Sequence, residues 1–84
     1  MKTYNINRQR DGRNSTIISN GLTLEEARKE LLDLFNMEFG TSFNNWGVAV
    51  LATRNSSEGA TPTHADGTRS FTYDVYRYWI EIEG

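Results

Sequence analysis

Eighty-four residues carry nine Lys and Arg against eleven Asp and Glu, a formal net charge of −2, with one histidine, one proline and no cysteine. That is the length of one small domain, and the missing cysteines exclude disulfide staples and thiol chemistry. The acidic balance argues against sequence-independent binding to phosphate backbones, which relies on clustered Lys and Arg.

The first predicted element is a half-buried strand over 3–9, where alternation places Tyr4 and Ile6 on one face and polar residues on the other. Asp11-Gly12 follows, a pair that readily supplies the positive φ of a hairpin turn. The β-branched run Thr16-Ile17-Ile18 is the expected return strand.

A helix is predicted over 24–38. Asn20-Gly21 breaks the chain, Thr23 is an N-cap with Glu26 three residues on, and Leu22 and Ala27 sit at staple positions. Leu24, Ala27, Leu31, Leu34 and Phe35 recur at helical spacing, and Gly40 is the natural C′ residue. The outer face holds Glu25, Glu26, Glu30, Asp33 and Glu38. Ordinarily that is a solvated face, although it would also suit a basic partner by phosphate mimicry.

Trp46-Gly47-Val48-Ala49-Val50-Leu51-Ala52-Thr53 is apolar at both parities, which reads as a central strand covered on both sides, or as one whose outer face is only small residues. Residues 55–68 hold the only proline and no apolar periodicity, so a long polar loop is expected. The stretch from Ser70 to Glu83 contains five of the ten aromatic residues: Phe71, Tyr73, Tyr76, Tyr78 and Trp79. A β-bulge near Val75-Tyr76 would bring its two parities onto one face.

Aromatic residues make up 12% of a chain that is 37% hydrophobic, so rings must supply much of the burial. No run of 18 apolar residues could span a bilayer, and Met1–Asn5 lacks the apolar core of a signal peptide. A cytoplasmic location without a membrane partner is expected. The sequons Asn14-Ser15-Thr16 and Asn55-Ser56-Ser57 have no meaning off a secretory route.

For chemistry, His64 and Asp66 lie two apart with Ser56, Ser57 and Glu58 nearby. A triad needs a base oriented by a third group on a rigid scaffold, and a metal centre needs three or four ligands. A solvated histidine is the simpler reading, so no catalytic residue, metal or cofactor is assigned. Arg8, Arg10 and Arg13 surround the first turn with only Asp11 opposing them. They form either a grip for an anionic partner or a charged edge that resists aggregation.

Tyr73, Tyr76, Tyr78 and Trp79, flanked by Arg69 and Arg77, read in three ways: core, a base-stacking platform, or anchors of a protein interface. Asp74, Glu81 and Glu83 on the same segment would repel a phosphate chain.

The segment Gly21-Leu22-Thr23-Leu24-Glu25-Glu26-Ala27, opening a helix after a short strand and an Asp-Gly turn, resembles small uncharacterised proteins of bacteriophages and prophages. The tail Tyr76-Arg77-Tyr78-Trp79-Ile80-Glu81-Ile82-Glu83 has the aromatic–acidic character of their C-terminal segments. The resemblance covers roughly residues 3–31 and the tail; Trp46–Thr53 and 55–68 have no counterpart in it. It implies no catalytic residue and no ligand. It does imply a setting in which domains of this size act by binding a host protein.

Together these readings predict an α+β domain of ββαββ order, with a mainly antiparallel four-stranded sheet packed on one helix. The expected function is a non-enzymatic module that modulates a host protein by direct contact. Its contact residues would be Tyr73, Tyr76, Arg77 and Trp79, with Arg8, Arg10 and Arg13 as a second patch. The alternative is single-stranded nucleic-acid binding on an aromatic sheet face. Homodimerisation through an exposed strand edge is a further option.

Overall fold

The structure, a computed structural model, describes residues 1–84. β1 (Thr3–Arg10) and β2 (Thr16–Leu22) form an antiparallel hairpin around Asp11-Gly12, where Gly12 adopts φ 75°. Its register slips between Tyr4 and Asn7, so that Ile6 faces Ser19 while Asn7 faces Ile17. Helix α1 spans Leu24–Phe39. Its capping box forms as the sequence predicts: Glu26 N–H donates to Thr23 Oγ1 at 3.1 Å, and Thr23 N–H donates to Glu26 Oε1 at 2.9 Å. Such a cap contributes about 1 kcal/mol. Gly40 closes the helix at φ 65°.

Trp46–Thr53 departs from the expected strand. It is helix α2, capped by Asn45, whose side chain accepts from Val48 N–H at 3.3 Å. Trp46 and Ala49 are buried, Val50 and Thr53 are half-buried, and the four lie at helical spacing. The outward positions Gly47, Val48, Leu51 and Ala52 are apolar or glycine, which is why no polar residue marks the wet side in the sequence.

The 55–68 segment is not all loop. It includes the short strand β3 (Gly59–Ala60), which pairs with β4 (Ser70–Tyr73). The end of the chain is not one bulged strand but a hairpin. β4 turns at Asp74-Val75 into β5 (Tyr76–Glu83), with Tyr73 opposite Tyr76 and Phe71 opposite Tyr78. Asp74 takes φ 54°, a conformation that Asp tolerates better than most residues.

The sheet therefore has five antiparallel strands in the order β2-β1-β5-β4-β3, with two helices, where four strands and one helix are predicted. The first and last strands lie side by side from Thr3↔Glu83 to Arg10↔Tyr76.

α1 packs on one face of this sheet. Ile6, Phe71, Tyr78 and Ile80 point up to meet Ala27, Leu31 and Phe35. Phe35 is the hub: its ring stacks on Phe39 with centroids 4.3 Å apart, and meets Phe71 at 5.4 Å and Trp46 at 6.2 Å edge-on. Each such pair adds about 0.5–1.5 kcal/mol beyond area burial. Asn36 anchors the link to α2, donating to Phe43 O at 2.7 Å and accepting from Thr41 Oγ1 and Phe43 N–H. Through the Phe35–Trp46 contact, α2 sits on the same side as α1. No helix of the chain is long and apolar enough to cross a membrane.

Candidate functional site

Because side chains alternate across a strand, the residues opposite the core form a second face that carries neither helix. Asn5, Asn7 and Gln9 of β1 and Arg77, Trp79 and Glu81 of β5 lie on it, in the pairs Asn5↔Glu81, Asn7↔Trp79 and Gln9↔Arg77. Asn7 Nδ2 donates to Asn5 Oδ1 at 2.6 Å and to Glu81 Oε2 at 3.1 Å. The same Glu81 oxygen accepts from Trp79 Nε1 at 3.3 Å. The Arg77 guanidinium lies 5.3 Å from the centroid of the Trp79 indole. Trp79 is thus clasped between a cation on its ring and a carboxylate on its nitrogen. On the edge strand, Ile17 faces Asn7 and is half-exposed at 53%.

The predicted contact residues divide between the two faces. Arg77 and Trp79 share the uncovered face. Tyr73 and Tyr76 lie on the helix side, where Tyr73 meets Phe39 edge-on at 4.9 Å and Tyr76 lies 6.3 Å from Tyr78. The reason is the Asp74-Val75 turn, which pairs Tyr73 with Tyr76 across the hairpin and sends both rings towards α1. Tyr78 is buried at 3% exposure. The four rings therefore do not make one stacking platform; only Trp79 remains on the open face, beside Glu81.

Arg8 and Arg10 also face the helix side. The Arg8 guanidinium covers the Tyr76 ring at 5.4 Å, and Arg10 is opposite Tyr76 in register. Arg13 is exposed in the turn, tied by its N–H to Arg10 O at 2.9 Å. The three arginines gather around the first hairpin as expected, and the molecule's one ion pair, Lys29–Asp33, leaves them without carboxylate partners.

The acidic face of α1 is largely absorbed within the fold. Glu26 caps the helix, Glu30 accepts from Ser19 Oγ at 2.6 Å, Asp33 pairs with Lys29, and Glu38 lies 3.5 Å from the Tyr78 hydroxyl. His64 is exposed, and the turn around it is internally bonded: Gly67 N–H donates to His64 O and His64 N–H to Thr68 O. Asp66 Oδ1 accepts from the Thr68 hydroxyl and N–H, which hold its carboxyl below the usual aspartate range. No group of three or more His, Cys, Asp or Glu side chains gathers anywhere in the molecule.

A feature missed in the sequence lies on the other side. A cleft of about 710 Å³ opens between α1, α2 and the segment 62–69, with Arg28, Lys29, Trp46 and Arg69 on its walls. Arg28 and Arg69 are 41 positions apart, so only the fold brings them to one cavity.

The fold and the clasped tryptophan define a small α+β domain with a one-sided, five-stranded antiparallel sheet. The chain matches no family model, no curated protein and no solved structure.

Proposed function

We propose that this chain is a non-enzymatic binding module that works by direct contact with another protein, through the uncovered sheet face centred on Trp79. The observation that carries this reading is the clasp itself. A tryptophan on a face without a helix is held in one orientation by Arg77 and Glu81, and Asn7 holds Glu81 in turn. Trp and Arg dominate binding hot spots, and a ring already fixed loses less entropy on docking. The neighbouring Ile17 extends the apolar contact onto the edge strand. Glu81 beside the ring, with Glu83 further along the same face, disfavours a phosphate chain and favours a polypeptide partner. The likeness of the 21–27 segment and the tail to phage proteins points to a bacterial host protein as that partner.

The test is a quantitative capture from bacterial lysate with the wild-type chain, Trp79→Ala, Arg77→Ala and, as control, Met37→Ala. Met37 is 68% exposed on α1, on the opposite side of the molecule. The expected result is a partner retained by wild type and Met37→Ala and reduced about tenfold or more by either sheet-face change. Equal recovery with all four proteins would refute the reading. Salt-sensitive retention of single-stranded DNA, lost with Trp79→Ala, would establish nucleic-acid binding in its place.

A further inference from the structure

The cleft between α1 and α2 differs from the rest of this acidic molecule. Of its wall residues, Arg28, Lys29 and Arg69 are cationic and Glu25 alone is anionic, and since Lys29 is paired with Asp33 the cations without a carboxylate partner are the two guanidiniums. Arg69 lies with its guanidinium 5.3 Å from the Trp46 centroid, its Nε shut off from solvent and without a hydrogen-bond partner. Arg28 donates from Nε to Gly67 O at 3.2 Å and has no carboxylate partner. Burial, and then the charge of Arg28, push Arg69 below the usual arginine range. Two like charges held together with an unmet donor are short of an anion.

Both guanidiniums are positioned in advance. Trp46 is itself buried against Phe35 and donates from Nε1 to Thr61 O at 2.9 Å, so the floor under Arg69 is rigid. Arg28 packs on Gly67, where φ is 86° and an added Cβ would collide with the guanidinium. The remaining wall combines an apolar strip of Leu32, Val50, Leu51 and Pro62 with the polar Asn44, Asn45 and Thr63, and Leu51 is 62% exposed. A volume of this order falls within the range of small-ligand sites.

We propose that this cleft binds a small organic phosphate monoester, its dianionic head between Arg28 and Arg69 and its organic part along Leu32, Val50 and Leu51. A phosphate monoester carries roughly −1.5 to −2 at neutral pH, matching the two guanidiniums that lack a carboxylate partner, whereas a carboxylate supplies only one charge. Its three free oxygens can take bidentate bonds from two guanidiniums at once. This site goes beyond the protein-contact reading and uses none of its residues, so either can fail alone.

The experiment titrates the full chain in phosphate-free buffer with phenyl phosphate, inorganic phosphate, benzoate and phenol. A Trp79→Phe background leaves Trp46 as the only indole reporter, and calorimetry gives an independent reading. Phenyl phosphate is expected to saturate at micromolar to low millimolar concentration, to bind more tightly than inorganic phosphate or benzoate, and to weaken with added salt. Phenol should give no signal.

Arg28→Gln should weaken phenyl phosphate about tenfold or more while circular dichroism stays native. Arg69→Met, which keeps the apolar stem against Trp46, should do the same. The proposal is overturned if phenyl phosphate gives no signal up to about 10 mM with folded protein. It is equally overturned if benzoate or phenol binds as well as the phosphate, or if Arg28→Gln leaves affinity unchanged.

Discussion

Tyr78 joins packing to protonation. Its ring stacks on Phe71 with centroids 4.6 Å apart, and its hydroxyl lies 3.5 Å from Glu38 Oε1. Burial, and then the Glu38 carboxylate, raise its pKa above the ordinary value of 10.0, with Arg8 pulling in the opposite direction. Above pH 10 the unfolded chain gives up this proton while the folded chain keeps it, so the folded state loses stability as pH rises. The melting temperature of the wild-type chain should therefore fall more steeply from about pH 9 to 11 than that of Tyr78→Phe, which has no phenol to ionise. Parallel curves for the two proteins would show that Tyr78 contributes nothing to the alkaline limit. Residue identity singles out Arg77 and Trp79 as contact candidates, and both lie on the open face. It also singles out Tyr73 and Tyr76, which lie on the other. The difference rests on one turn: Asp74 supplies the positive φ that Gly supplies in most such turns, and without a glycine the reversal was not legible.

Among the elements, those with marked ends were readable. α1 announced itself through Thr23, Glu26 and Gly40 and ends one residue beyond its predicted limit of 38. The first hairpin followed from Asp11-Gly12. α2 was hidden because its exposed side is apolar: Val48 is 49% exposed and Leu51 62%. With Gly47 and two valines in eight residues its intrinsic helix propensity is low, and contacts of Trp46 and Ala49 with the rest of the core override it. A pair of substitutions separates helix from strand. Val48→Lys should change stability by no more than about 0.5 kcal/mol. Ala49→Lys, at a position with 0% exposure, should cost about 3 kcal/mol or more, because it buries an ammonium group without a partner. Urea midpoints would check both; equal losses would contradict the helical assignment. The phosphate cleft was equally hidden, since Arg28 on α1 and Arg69 just before β4 meet only when α1 packs across the sheet.

At the scale of the whole molecule, α+β class and mainly antiparallel pairing were legible, while strand count and order were not. Local pattern says which residues are strands but not that the first strand lies beside the last. Thr3 faces Glu83 in register, so the ends of the described chain are close together. Joining Gly84 to Met1 through a short Gly-Ser linker and reopening the chain at Asn55-Ser56 should yield a circular permutant with native circular dichroism. An unfolded product would show that the β1–β5 register needs its original connectivity. The same pairing constrains synthesis. During synthesis Tyr4 and Ile6 are made well before their neighbours Ile82 and Ile80, with the rest of the sheet and both helices between them. The centre of the sheet can close only once β5 has left the ribosomal tunnel, and until then the first hairpin presents an unpaired strand to the cell.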